Sequence, residues 1–259
     1  MPGRSKAQTG GPDSHKQSAR DGRVEGRSRL DRAGRSRELG QHFLGSQRLA
    51  AQLVADAAVG RAHRVVDLGA GTGALTAALA ATGASVLAVE LDDELARGLS
   101  VRFADAANVT VLRADVGDVP LPVTPYRVVA NPPFGHTAAV VRRLLGAPAG
   151  GLERVDLVVQ WQVARHRAKV DAGEAADLLG ATWGPWWRFG RGRRLPAACF
   201  RPRPSVDAAV LVVTRRDPPL LPAEAFAEYG AFVAGEFARR SDRAADVGAW
   251  AARFSNLRP

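Results

Sequence analysis

The stretch Arg64–Gly73, with the sequence RVVDLGAGTG, decides the fold of this chain. Its first half, Arg64–Leu68, has the length and the β-branched residues of a buried β-strand. Three glycines follow the strand directly: Gly69, Gly71 and Gly73. Glycine adopts backbone conformations that other residues avoid, and it lets a ligand approach the main chain closely. The Ala- and Leu-rich stretch Ala74–Ala81 comes next, so the sequence predicts a strand, a ligand-binding turn and a helix.

The same alternation of strand and helix continues along the chain. Helix-like stretches such as Asp93–Phe103 separate short apolar runs that have the composition of strands. Those runs are Ser85–Glu90, Val109–Arg113, Tyr126–Ala130 and Val155–Gln160. Nearly continuous apolar strands that alternate with helices are typical of a parallel sheet covered on both faces. We therefore predict an α/β fold, with Val206–Thr214 as a further, antiparallel strand at the end of the sheet.

The ends of the chain differ from this central part. Ten basic and four acidic residues lie in residues 1–37, which contain almost no apolar residues. We predict that this tail is disordered, either as a basic arm for nucleic acid or as a solvated extension. After Asp217, two helical segments follow without a strand between them, Ala223–Arg240 and Arg243–Phe254. The predicted organisation is a tail over 1–37, a catalytic domain over 38–216 and a small all-helical domain over 217–259.

Composition limits the class of partner and the compartment. The 259 residues include 36 Lys+Arg and 26 Asp+Glu, so the formal charge is +10, which favours a polyanion such as nucleic acid. A single cysteine, Cys199, excludes an intramolecular disulfide framework and is typical of a reducing compartment. No apolar run approaches the roughly 20 residues of a membrane helix, and the N-terminus lacks an apolar signal stretch. We therefore expect a cytoplasmic protein without a membrane partner.

Polar residues follow the predicted strands where a parallel sheet gathers its ligands. Glu90 ends the second strand and can accept hydrogen bonds from the hydroxyls of a ribose. Asp115 follows the third strand, where it can accept a hydrogen bond from the amino group of an adenine. Asn131–Phe134 (NPPF) follows the fourth strand. The pattern Gly69-x-Gly71-x-x-Ala74 is also compatible with a dinucleotide site. A nicotinamide enzyme, however, has no need of the NPPF motif, whereas an enzyme that transfers a group to an amine does.

These motifs resemble the S-adenosylmethionine motifs of amino-methyltransferases, and the NPPF form is typical of those that methylate exocyclic amines of bases. The resemblance implies a Rossmann-like class I methyltransferase sheet. It also implies that the backbone of the glycine loop lines the methionine part of the cofactor, that Glu90 and the adjacent Leu91 lie at its ribose, and that Asp115 binds its adenine. No metal is implied.

Two further motifs resemble one family more closely. Leu39–Leu44 (LGQHFL) is similar to the G-Q-[NH]-F-L motif of ribosomal RNA adenine N6-dimethyltransferases, and Phe200–Asp207 matches their F-x-P-x-P-x-V-[DS] segment. The resemblance adds three residues to the cofactor site: Gln41, His42 and Leu44. The sequence is most similar to the Erm branch, which methylates one adenine in the peptidyl-transferase region of 23S rRNA and blocks macrolide, lincosamide and streptogramin B antibiotics.

Several alternatives remain beside the Erm branch. The closest one is the branch that dimethylates adenines of small-subunit rRNA during ribosome maturation. Phe134 and the short helical C-terminus favour the Erm branch, whereas Pro132 departs from both branches, in which Ile or Leu is commoner. A DNA adenine methylase lacks the Gln41 motif and would need a separate target-reading domain. A non-catalytic RNA-binding protein would have no use for an intact NPPF motif or for Glu90.

The chemistry of the reaction indicates the catalytic residues. An aromatic amine is a poor nucleophile because its lone pair is delocalised into the ring. The side-chain oxygen of Asn131 and the carbonyl of Pro132 can accept hydrogen bonds from the two N–H groups of this amine. These hydrogen bonds favour a pyramidal nitrogen, whose lone pair is free to attack the sulfonium methyl group. Phe134 offers a face on which the base can stack. The target adenine must be unpaired or extruded from its helix.

Arginines indicate where the RNA binds. The predicted contacts are Arg165, Arg167, Arg188, Arg191, Arg193 and Arg194. Trp186, Trp187 and Phe189 lie among them, and we predict that the tryptophans belong to the core rather than to a stacking surface. The predicted partner is 23S rRNA before ribosome assembly is complete, and we expect the protein to be a monomer.

Overall fold

The computed structural model describes residues 41–172, 176–239 and 245–257. The predicted tail over 1–37 lies outside these residues. A seven-stranded sheet forms the centre of the described part, with the strand order β4-β3-β2-β5-β6-β9-β7. Its strands are β2 (Arg64–Leu68), β3 (Ser85–Glu90), β4 (Val109–Arg113), β5 (Tyr126–Ala130), β6 (Leu152–Gln160), β7 (Trp187–Leu195) and β9 (Ala208–Arg215).

The first five strands form the parallel part of the sheet, as predicted. Four helices connect them or precede them: α1 (Gln47–Asp56), α2 (Ala74–Ala81), α3 (Asp93–Arg102) and α4 (Thr137–Leu145). Local sequence explains where these helices begin. The Asp92 carboxylate caps α3 by accepting hydrogen bonds from the backbone N–H groups of Glu94 and Leu95, at 2.9 and 3.0 Å. Gly73, in a left-handed conformation with φ 80°, begins α2 directly after the glycine loop.

The antiparallel end of the sheet differs from the prediction. β9 is antiparallel, as predicted, but it lies between β6 and β7 and not at the end of the sheet. The strand at the end is β7, with the sequence WRFGRGRRL, which the sequence analysis did not identify as a strand. An edge strand faces solvent along one side and tolerates charged residues and glycines, so β7 lacks the continuous apolar run of a central strand.

The C-terminal part is helical, as predicted, and it contributes to the main hydrophobic core. Two helices lie earlier, between β6 and β7: α5 (Trp161–Arg167) and α6 (Leu178–Trp183). The helices of the C-terminal part, after residue 217, are α7 (Phe226–Ala238) and α8 (Val247–Ser255). Tyr229 of α7 is fully buried and donates a hydrogen bond to the carbonyl of Ala181, at 3.0 Å. Trp186 and Trp187 are buried with relative exposures of 2% and 0%, which confirms that they belong to the core. The division into domains at residue 217 stays a prediction.

A second sheet contains two strands. They are β1 (Phe43–Leu44) and β8 (Phe200–Arg201), and they pair in antiparallel orientation.

Within the residues that the structure describes, no helix combines the length and the apolar character needed to cross a membrane.

Replacement of a leucine in the centre of the sheet tests the position of the core. Leu157 of β6 is fully buried, and Leu157→Ala should lower the free energy of unfolding by about 2–5 kcal/mol because it removes apolar contacts and leaves a cavity. Leu257→Ala is the matched control, since the Leu257 side chain is 68% exposed. Urea unfolding measures both changes, and equal destabilisation by the two variants would contradict this description of the core.

Candidate active site

The glycine loop adopts a backbone that only glycine adopts without strain. Gly69, Gly71 and Gly73 have φ angles of 75°, 57° and 80°, all in the left-handed region. A Cβ atom on Gly71 would also lie 2.8 Å from the ring of Phe43. Two separate constraints therefore require glycine at position 71, and the loop is covered by the aromatic ring of β1.

Glu90 fastens this loop to the end of the neighbouring strand. Its carboxylate is buried, and Oε2 accepts a hydrogen bond from the backbone N–H of Gly71 at 2.7 Å. Oε1 accepts two more from the N–H groups of Leu91 and Asp92, at 2.9 and 3.0 Å. Glu90 thus lies against the glycine loop, as the sequence predicts, and its negative charge is solvated by backbone amides.

Asp67 lies in the strand that leads into the glycine loop, and the sequence predicts no role for it. It is 1% exposed, and its Oδ2 accepts a hydrogen bond from the Thr76 hydroxyl at 2.7 Å. Among the described residues, Oδ1 has no hydrogen-bond partner. Burial, with a smaller contribution from the charge of Glu90, raises the pKa of Asp67 to about 7. An acid inside an apolar strand, two residues before a glycine loop, is the sequence signal that could have identified it.

Asn131 presents a free acceptor in the same place. Its Nδ2 donates a hydrogen bond to the backbone carbonyl of His42, at 2.7 Å. Because a carbonyl can only accept, this contact fixes the orientation of the amide and directs Oδ1 the other way. Oδ1 is buried and has no hydrogen-bond partner within the described part of the chain. Such an acceptor has lost water without gaining a donor, so it is suited to a ligand that brings an N–H group.

Phe134 lies next to two other rings. The centroid of its ring is 5.3 Å from that of His42 and 6.1 Å from that of Phe200. His42 is fixed in turn, because its Nδ1 makes a 2.8 Å hydrogen bond with the carbonyl of Pro202. Pairing of β1 with β8 therefore brings residues 41–44 of the first family-like motif and the motif Phe200–Asp207 together around the third, Asn131–Phe134.

The remaining predicted cofactor residues lie at the outer part of the site. Asp115 is exposed, and its Oδ1 accepts a hydrogen bond from the N–H of Gly117 within the same loop, at 2.7 Å. Arg143 fastens this loop by donating to the carbonyls of Gly117 and Val119, each at 3.1 Å. Leu91 is 57% exposed, and Gln41 is half-buried.

A small cavity lies among three of the predicted cofactor residues, Leu44, Gly69 and Asn131. Its volume is about 20 Å³, room for about one water molecule. It is lined by Phe43, Leu44, Asp67, Gly69, Ala70, Thr72, Ala74, Leu75 and Asn131. The orphan oxygen of Asp67 and the backbone of the left-handed glycines suit a ligand with an amino group and hydroxyls, so the residues present fit an adenosyl amino acid in their chemistry.

The six predicted RNA-binding arginines do not form one patch. Arg193 pairs with Asp56 of α1 at 2.7 Å, and Arg167 donates to Asp177, also at 2.7 Å. Arg194 contacts Asp207 at 2.8 Å. The other three arginines are exposed: Arg165, Arg188 and Arg191.

The pH dependence of stability tests the state of Asp67. Its pKa in the folded protein, about 7, is above the value near 3.9 expected in the unfolded chain, so the folded state binds the extra proton between these pH values. The stability that this proton gives is complete below pH 4 and is lost as the pH rises to 7. Asp67→Asn should therefore flatten the fall of the unfolding free energy from pH 4 to pH 7.

The control for this measurement is Asp105→Asn, a change of an exposed aspartate. If Asp67→Asn leaves the same pH slope as Asp105→Asn, the raised pKa of Asp67 is wrong.

Comparison with known proteins agrees with the geometry of the site. A family model described as ribosomal RNA adenine dimethylase matches residues 34–244. The rRNA adenine N-6-methyltransferase of Corynebacterium diphtheriae is 37% identical over 203 residues, which are 78% of this chain and 78% of that protein. Mycinamicin-resistance protein MyrB of Micromonospora griseorubida is 40% identical over 192 residues, 74% of this chain and 60% of that protein.

A solved structure is similar over most of the described fold. The crystal structure of 23S rRNA methyltransferase ErmE superposes with a TM-score of 0.67 and 28% identity, covering 82% of this chain and 84% of that one. Fold, site motifs and family model thus lead to one assignment: the chain belongs to the ribosomal RNA adenine dimethylase family of methyltransferases.

Proposed function

We propose that this protein uses S-adenosylmethionine to methylate N6 of an unpaired adenine in the peptidyl-transferase region of 23S rRNA, and that the product resists macrolide, lincosamide and streptogramin B antibiotics. The observation that carries the proposal is the buried Oδ1 of Asn131, an acceptor without a partner among the described residues. It is oriented by the carbonyl of His42 and lies in the same motif as Phe134, which offers a ring face to a base.

Residues around the glycine loop would hold the cofactor, which supplies a methyl group on a positively charged sulfur. The loop backbone and Asp67 lie at the small cavity, where a carboxylate can pair with an amino group. Glu90, Leu91 and Asp115 would bind the adenosine part. The N-terminal residues of the site, Gln41, His42 and Leu44, would cover it.

Asn131, Pro132 and Phe134 would then act on the target adenine. The Asn131 Oδ1 and the Pro132 carbonyl accept the two N–H groups of the exocyclic amine and favour a nitrogen whose lone pair is free to attack. Phe134 stacks on the base, an interaction worth about 1–3 kcal/mol. The site holds the amine in line with the methyl group that it receives. This proximity supplies much of the acceleration of methyl transfer. The methylated nitrogen then gives one proton to solvent, and none of the described side chains is assigned to take it as a general base.

The choice of 23S rRNA rests on the similarity of the chain to two proteins. One is named for resistance to mycinamicin, and the other is a 23S rRNA methyltransferase. We propose further that the substrate is rRNA in the cytoplasm before ribosome assembly is complete, and that the enzyme acts as a monomer. Modification of small-subunit rRNA is the outcome that would favour the other branch of the family.

Replacement of Asn131 tests the chemical step. Asn131→Ala removes one acceptor of the target amine, and by analogy with the removal of a single transition-state hydrogen bond, kcat for methyl transfer should fall by about 10²–10³-fold. Cofactor affinity, measured by calorimetry, should change less than kcat. His136→Ala, two residues beyond Phe134 and exposed, is the control that retains transfer. Full transfer by Asn131→Ala would exclude the proposed mechanism.

Expression in a macrolide-sensitive bacterium tests the biological role. The wild-type protein should raise the minimal inhibitory concentration of a macrolide, since a methylated adenine at the drug site weakens drug binding. The Asn131→Ala variant, expressed at the same level, should not raise it. Unchanged drug sensitivity together with modified small-subunit rRNA would reverse the choice between the two branches.

A further inference from the structure

Trp161 lies against two of the arginines of β7. The guanidinium carbons of Arg191 and Arg194 are each 4.7 Å from the centroid of its ring. Both distances are within the range of a cation–π interaction. Trp161 is itself half-buried, and its backbone N–H donates to the carbonyl of Asp207 at 2.9 Å, which holds its main chain beside the start of β9. We name Trp161, Arg165, Arg191 and Arg194 the Trp161 cluster.

This cluster lies at the same edge of the sheet as the target site, namely the edge formed by the carboxyl ends of the parallel strands. Trp161 directly follows β6, and β6 is the parallel neighbour of β5, which leads into Asn131. Arg194 pairs with Ala209 close to the start of β9, which is antiparallel, so it also lies near this edge. Neighbouring strands are about 5 Å apart, so the edge continues for about 15 Å from β5 to β7.

The sheet separates the arginines of β7 into two groups. Arg191 and Arg194 are the cross-strand partners of Leu211 and Ala209, and these two residues belong to the main core on the α5 side. Cross-strand partners share a face, so Arg191 and Arg194 project toward Trp161. Arg193 lies between them in an irregular part of the strand and pairs instead with Asp56 of α1, which packs on the other face.

Arg165 and Arg191 of the cluster keep more of their positive charge than Arg193 and Arg167 do. A cation–π contact fixes a guanidinium without neutralising it, unlike the carboxylates that pair with Arg193 and Arg167. Within the described residues, no carboxylate pairs with Arg165 or Arg191, and Arg194 shares Asp207. Arg165 is on the same face of α5 as Trp161, because the two are four residues apart.

We propose that the Trp161 cluster binds the phosphates of the unpaired RNA strand that flanks the target adenine, with the Trp161 ring holding the guanidinium groups in position. The proposal rests on the proposed function, since it takes the RNA to be the substrate that enters at Asn131. Arginines that an aromatic ring holds beside a base-binding site suit single-stranded RNA. They can contact the phosphates of the RNA strand while the target adenine is turned into the site.

The test is the affinity for a 23S rRNA fragment that contains the target loop, measured by fluorescence anisotropy at several salt concentrations. Arg191→Ala should weaken binding about tenfold at low salt, and the slope of log K against log salt should fall by about 0.7, as expected for one lost phosphate contact on a single strand. Trp161→Ala keeps every charge and should also weaken binding, whereas Trp161→Phe should restore it in part because phenylalanine still forms a cation–π contact.

Arg61→Ala is the matched control. It removes the same charge from an exposed arginine just before β2, at the opposite edge of the sheet, and should leave the affinity and the salt slope unchanged. If Arg191→Ala and Trp161→Ala bind RNA as tightly as the wild type and Arg61→Ala do, the cluster does not bind RNA. Methyl transfer to the same fragment separates the two proposals, since a wild type that transfers no methyl group would overturn the proposed function itself.

Discussion

The site depends on the three backbone hydrogen bonds that the Glu90 carboxylate accepts. They join the glycine loop after β2 to the turn after β3, and they give a buried charge the partners that it requires. The loop so fixed has a left-handed Gly71, and any side chain there would collide with Phe43. One carboxylate therefore sets the position of the loop, and the loop sets how closely β1 approaches the sheet.

The position of β1 in turn prepares the target site. β1 pairs with β8, and the residue before it, His42, contributes its backbone carbonyl to Asn131 and its ring to the surroundings of Phe134. The amide of Asn131 consequently presents its oxygen rather than its nitrogen. A motif about 90 residues upstream in the sequence thus decides which chemical group the NPPF motif offers to a base.

The sequence predicted the strands of the parallel part well because each is a short apolar run, including β4, which lies at an edge of the sheet and is only partly buried. The bounds of β2, β3, β4 and β5 agree with the apolar runs from which they were predicted. β7 could not be found in this way, since an edge strand with four arginines has no continuous apolar run. The motifs predicted that the site residues converge. The orientation of Asn131, the unpartnered Oδ1 of Asp67 and the separation of the arginines by the sheet depend instead on tertiary pairing, which no local pattern contains.

We propose that the geometry of the site around Asn131 and the glycine loop serves methylation of an adenine in 23S rRNA. The most direct measurement incubates the protein and S-adenosylmethionine with both large-subunit and small-subunit rRNA and maps the modified base. We expect N6-methylated adenine in the peptidyl-transferase region of 23S rRNA and an unmodified 16S rRNA. Methylation confined to 16S rRNA, or at a position other than an adenine N6, would contradict it.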